Sequence, residues 1–355
     1  MSEKRPAPEA FGPSSELVVK RTKQDVPGSA VIKSSQNGGA LIKSMPRTSA
    51  LPAPIMKLSG HSGEIFAVRF DPTGQHIASG SVDRSILIWN TFGQCDNYGK
   101  LTGHKGPVMD LQWSRDSETL FSASADKTVV NWDLATGTKI RRHDAHEEIV
   151  NAIALSKRGE QVLVSGSDDG CVGVWDPRQK EPVEFLETQL PITAVAISET
   201  ATEMYSGGID NTIRVWDLRK NSVVYTLTGH NDTITSLEIS PDSQTLLSNS
   251  HDNTVRTWDI RPFASVNRHI KYFDGAPMGL DVNLIRASWS HTGDKIAAGS
   301  GDGTAVVWDS NTAKMLYKLP GHTGSVNDVR LSPNDEPLIV SCSSDRTLLL
   351  GELKK

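Results

Sequence analysis

The chain has 355 residues, three cysteines and a formal net charge of −5. That length suits one large domain or two ordinary ones. No apolar run approaches the ~18 residues of a membrane span, nothing resembles a signal peptide, and Cys95, Cys171 and Cys342 are too few and scattered for a disulfide framework, so a soluble chain of a reducing, intracellular compartment is expected.

Residues 1–53 hold eight Lys/Arg and four Asp/Glu, a net of +4, and scatter Pro, Gly and Ser without apolar periodicity. They read as a disordered basic tail. Two patches in it, AVIKSS from Ala30 and ALIKSM from Ala40, are either chance clusters or short motifs that order on a partner. Lys20, Arg21, Thr22 and Lys23, with Lys4 and Arg5 upstream, read either as a nuclear import signal or as an ordinary solvated tail.

Residues 54–355 carry 29 Lys/Arg and 38 Asp/Glu, a net of −9. An acidic body is a poor phosphate-binding surface, so proteins, some of them basic, are the expected partners; RNA contact is at most indirect or through the tail.

From Pro54 the chain repeats. Tryptophans fall at 89, 132, 175, 216, 258 and 308, at intervals of 43, 43, 41, 42 and 50. Six residues before each stands an aspartate: Asp83, Asp126, Asp169, Asp210, Asp252 and Asp302. A seventh unit has Asp345, but Gly351 takes the place of its Trp. Gly-His pairs at His61, His104, His230 and His322, and Ala-His at His146, lie 22 or 23 residues before an Asp. Between these marks, apolar and polar residues alternate in short runs such as EIFAVRF, QHIASGS, RSILIWN and YGKLTGH, parted by turns such as DPTG. Four strands per ~43 residues is one blade of a β-propeller. Seven units leave the last blade without an outer strand, and the spare one lies in front, around Ile55 to Leu58. Its pairing with the last blade closes the ring and removes two sheet edges.

Four residues before each Asp stands Ser79, Ser122, Ser165, Ser206, Ser248, Ala298 or Ser341. A Ser, His and Asp together suggest a hydrolase, but the set recurs where an enzyme needs one site, and no GxSxG elbow occurs. The sets His61, Ser79, Asp83, Trp89; His104, Ser122, Asp126, Trp132; His146, Ser165, Asp169, Trp175; and His230, Ser248, Asp252, Trp258 read instead as buried hydrogen-bond networks. The pair Asp168-Asp169 suits a turn better than calcium. No CxxC, His pair or phosphate loop appears, so no metal and no cofactor is expected. No unique cluster of titratable residues stands out, and catalysis is not expected.

Gly-His, the Asp six before Trp, and Trp-Asp at 132, 175, 216, 258 and 308 identify the body as a member of the WD-repeat family, with Trp89-Asn90 as a variant. The resemblance covers about residues 54–355. It implies an all-β, seven-bladed WD-repeat β-propeller behind a disordered N-terminal tail, with the His, Ser/Thr, Asp and Trp as its internal network. The fourth and sixth units lack the His, the sixth has Ala298 for Ser, and the seventh lacks Trp, so weaker bracing is expected there. Similar positions to Phe66, Met109, Asn151, Thr193, Thr235, Ile285 and Asn327 line the channel entry in this family. Phe66, Met109 and Ile285 are apolar there and are candidate partner contacts.

The family alone implies an interaction platform. The strings APIMKLSGH, FGQCDNY, SGGIDNTIRVWDLR, WDIRPFA and LYKLPGH more narrowly resemble WD-repeat subunits of the U5 small nuclear ribonucleoprotein of the spliceosome. That implies a nuclear, non-catalytic scaffold in pre-mRNA splicing, a monomer within a larger complex. It would be bound to the particle's large scaffold protein and other spliceosome proteins, with no membrane. The competing reading is a substrate receptor of a cullin-RING ubiquitin ligase, which often carries Trp-Asp-x-Arg, present here at Arg178, Arg219 and Arg261.

One segment breaks the pattern. Trp258 to Trp308 is 50 residues and lacks a Gly-His. Pro262 has no N–H for a ladder, so the chain is expected to leave the sheet there. It should return as an outer strand near Arg268 to Phe273, then loop out to Leu284. The stretch from Pro262 to Val282 is either a neutral insertion or a partner contact with Phe263 and Met278 as anchors.

Overall fold

The computed structural model describes residues 49–265 and 267–353. The patches at Ala30 and Ala40 and the basic run at 20–23 lie outside the described residues. Every regular element among the described residues is a strand, and 28 strands form seven four-stranded antiparallel sheets. Six sheets take consecutive strands, and each opens with its innermost one: Ile65–Phe70, Val108–Trp113, Val150–Leu155, Ile192–Ile197, Ile234–Ile239 and Ala287–Trp289 in blades 1 to 6. Successive inner strands touch, and that of blade 7, Val326–Leu331, touches that of blade 1, so the ring is closed.

The sheets follow from alternation punctuated by short polar turns. In DPTG, the Asp71 carboxylate accepts the His76 N–H at 2.9 Å. The Asp71 carbonyl accepts the N–H of Gly74, whose φ of 72° suits glycine. Strands alternate in direction within a blade. The loops bearing the motif His and the turns bearing the motif Asp therefore share one face, here the His face. The DPTG-type turns and the Trp-Asp ends share the opposite face.

Ile55–Ser59 forms the outer strand of blade 7, pairing antiparallel with Thr347–Glu352 from Ile55↔Gly351 to Ser59↔Thr347. Residues ahead of this strand also contact the blade. Leu51 is buried with Leu58, Leu338, Leu348 and Leu350, and Ser49 donates to Glu352 at 2.8 Å. The irregular segment leaves blade 5 after Asp259 and returns as the outer strand His269–Phe273.

Candidate functional site

The motif residues meet in five blades. His61 Nδ1 lies 2.9 Å from Asp83 Oδ2 and its Nε2 lies 2.8 Å from Ser79 Oγ, which also accepts the Trp89 indole N–H at 2.9 Å. The same set joins His104 to Asp126 and Ser122, His146 to Asp169 and Ser165, and His230 to Asp252 and Ser248, with Trp132, Trp175 and Trp258 donating to the serines. His322 joins Asp345 and Ser341 without a Trp. Each Asp has two tasks. Asp83 Oδ1 caps its own turn through the Ser85 N–H at 3.0 Å, while Oδ2 takes the imidazole. Burial raises the Asp83 pKa, but hydrogen bonds from Ser85, His61 and the Ser62 N–H outweigh it and hold the carboxyl well below the usual range. Burial lowers the His61 pKa and outweighs Asp83, so the imidazole stays neutral.

Where the motif is incomplete, other groups stand in. In blade 4 Trp216 still donates to Ser206, and Arg214 pairs with Asp210 at 2.5 Å. In blade 6 Lys318 pairs with Asp302 at 2.7 Å, and the Trp308 indole donates to the Asp274 carbonyl at 2.9 Å.

The rim positions Phe66, Met109, Asn151, Thr193, Thr235 and Asn327 sit at register shifts that open the inner strands of six blades. The polar ones stitch neighbouring blades. Asn151 donates to the Ile192 carbonyl at 2.9 Å, Thr193 to that of Ile234, Thr235 to that of Ile285 at 2.7 Å, and Asn327 to that of Ile65 at 2.8 Å. Phe66 and Met109 cannot make this bond. Both are half-buried, and with Val282, Leu284 and Arg286 they line a hollow of about 140 Å³ at the channel mouth.

Ile285 is a correction. It is 0% exposed, because blade 6 lacks the register shift and Ile285 packs over Gly299. Met278 is a second correction, at 3% exposure. Its segment is tied down without a histidine. Asn253 accepts the Met278 N–H at 2.9 Å, the Pro277 carbonyl accepts Gly301 N–H and Ser300 Oγ, and Ala276 packs in the core. The exposed large apolar side chains of this loop are Leu280, at 98%, and Val282. Phe263 is fully exposed at 101%. It lies on the opposite face from Met278, in a loop fastened by Arg268, which stacks on Tyr225 at 4.1 Å and donates to the Asp259 and Arg261 carbonyls. The two expected anchors are therefore not brought together.

The channel holds a titratable cluster that the sequence pattern does not reveal. Asp110, fully buried, pairs with Arg286 at 2.7 Å and Arg69 at 3.4 Å, and accepts the Ile153 N–H at 3.0 Å. Burial raises its pKa, but Arg286 and Arg69 outweigh that and hold it below the usual range. Arg286 crosses the channel to the carbonyls of Met109 and Asn151, both at 3.1 Å. Asp328 accepts the Val68 N–H at 3.1 Å, and Arg330 pairs with Asp328 at 2.9 Å and Glu238 at 2.5 Å. These bonds strap blades 1, 2, 3, 5, 6 and 7 across the axis. Among the described residues there is no group of three or more His, Cys, Asp or Glu placed to hold a metal ion.

Residues 82–271 match the family described as Nucleolar protein 10-like, N-terminal domain, and residues 52–90, 279–309 and 313–350 match WD domain, G-beta repeat. The chain is 50% identical to U5 small nuclear ribonucleoprotein 40 kDa protein of Homo sapiens, across 89% of this chain and 88% of that protein. It is 48% identical to Pre-mRNA-splicing factor cwf17 of Schizosaccharomyces pombe, across 87% and 90%. It is 45% identical to U5 small nuclear ribonucleoprotein 40 kDa protein of Dictyostelium discoideum, across 91% of each.

Proposed function

The chain belongs to the WD-repeat family of the U5 small nuclear ribonucleoprotein 40 kDa proteins, and from that premise we propose that it is a non-catalytic scaffold subunit of the spliceosomal U5 particle, acting in pre-mRNA splicing in the nucleus. The observation that carries this is identity of 45–50% along nearly the whole of both chains to two U5 small nuclear ribonucleoprotein 40 kDa proteins and one pre-mRNA-splicing factor. The large scaffold protein of that particle is the proposed main partner. Repeated buried networks support the reading, since satisfied networks rigidify a sheet and a rigid ring presents fixed surfaces. The proposed contacts are Phe66 and Met109 with Leu280 and Val282 on the His face, and Phe263 on the other. Half-exposed apolar side chains around one hollow suit an anchor from a partner. The test is Phe66→Asp with Met109→Asp in the full chain, read by recovery of U5 proteins and by melting temperature. Lost recovery at unchanged melting supports the contact, and normal recovery removes it.

A further inference from the structure

Alternate residues of the inner strands face the channel, and the seven blades fill it unequally. Blades 3 and 4 place alanines, Ala152, Ala154, Ala194 and Ala196, where blades 1, 2 and 7 place Arg69, Asp110 and Arg330, and beside them lies a cavity of about 90 Å³ that extends to Lys157 and Glu199 on the face opposite the motif histidines. At ~15 Å³ per water-sized volume this is space for about six waters, or for one phosphate- or carboxylate-sized group. Also lining the cavity are Arg69 and Arg330, at equivalent positions of the adjoining blades 1 and 7.

Neither guanidinium is saturated. Arg69 gives Nε to the Leu111 carbonyl at 3.0 Å and makes one long contact, 3.4 Å, to Asp110, whose other oxygen Arg286 holds. Arg330 gives Nη1 to Glu238, while its Nε faces Asp328 without the alignment of a hydrogen bond. Among the described residues no hydrogen bond reaches Arg69 Nη1 or Arg330 Nη2. Burial, and after it the Arg330 charge, lower the Arg69 pKa, as expected of a guanidinium short of negative charge.

We infer that the channel between Arg69 and Arg330 binds one small oxyanion, a phosphate or carboxylate group, entering from the face opposite the motif histidines. Planar guanidinium edges match such a group, and the bond strengthens in a cavity sheltered from bulk water. The alanine wall supplies the room. Glu238 and Asp328 fix Arg330, so its remaining edge is preorganised. The site does not depend on membership of a splicing particle.

The test is isothermal titration of the full chain with inorganic phosphate and, separately, N-acetylglutamate at constant ionic strength. Arg69→Gln removes one charge, and Ala154→Leu narrows the cavity without touching charge. Saturable binding of at least one anion is expected, weakened about tenfold in Arg69→Gln and likewise in Ala154→Leu, with cooperative melting retained. Binding of phosphate alone identifies a free phosphate ligand; binding of N-acetylglutamate identifies a carboxylate side chain of a partner. No saturable binding of either anion overturns the site, as does equal affinity in wild type and Arg69→Gln. Should Arg69→Gln fail to fold, equal affinity in wild type and Ala154→Leu overturns it.

Discussion

Removing residues 1–60 should open the ring, whereas removing residues 1–45 should leave it intact. The longer deletion takes away Ile55–Ser59 and its five register pairs with Thr347–Glu352, together with the buried Leu51 and Leu58. Burial of two leucines contributes about 3–6 kcal/mol at ~1.5–3 each. The ladder contributes roughly another 5 at ~1 per hydrogen bond. Ordering the strand offsets part of this, so the expected loss is several kcal/mol, a large share of the ~5–15 that stabilises a domain. The shorter deletion keeps every contact described above. Differential scanning calorimetry of both truncations should show a melting temperature ~10 °C or more lower for the longer one. Size-exclusion chromatography should show it aggregating through its exposed edge strand. Equal melting temperatures and equal elution would refute closure by the front strand.

Met278→Ala should cost about 2–5 kcal/mol in urea unfolding, because a buried side chain is truncated, while Leu280→Ala stays within about 0.5. Asp110→Ala should cost about 3–5 kcal/mol in the same assay, since it leaves Arg286 and Arg69 buried without their carboxylate; a loss below 1 would show the channel pairs to be incidental. For pH, His61 and His322 have folded pKa values below their ordinary 6.5 because burial outweighs Asp83 and Asp345. The unfolded chain then binds more protons below pH 6.5, so stability falls as pH drops through that value. Asp83, Asp126 and Asp252 are held low by their hydrogen bonds despite burial, so their contribution is present above ~3.9 and lost below it. Thermal melting should be flat from pH 8 to 7 and fall in two stages on acidification; an unchanged midpoint between pH 7 and 5 would contradict this.

What repeats is what the sequence makes legible. Asp83 and its counterparts recur at a fixed distance from His and Trp, so blade number, strand order and the buried quartets can be read from spacing. The closing strand at Ile55 follows from strand counting alone. What does not repeat is hidden. Asp110, Arg286 and Asp328 share one inner-strand position and Arg69, Glu238 and Arg330 another, but each position differs from blade to blade, so no motif marks them, and only closure of the ring brings Arg286 to Met109. The burial of Met278 and Ile285 is hidden for a related reason. Apolar character at a rim or loop position does not separate exposure from burial, and here Gly299 opens a space for Ile285 while the loop through Asp274 replaces the missing histidine as the brace of blade 6. Leu280, two residues further on, carries the exposure expected of Met278.

A ring that serves as a scaffold of the U5 particle should travel with that particle. The most direct test is mass spectrometry of the complex purified natively on a tagged full chain from its own cells. U5 proteins, led by the large scaffold protein, are expected in stoichiometric amounts with this chain. Recovery of a cullin-RING ligase core in their place, or of the chain alone, would contradict the scaffold role.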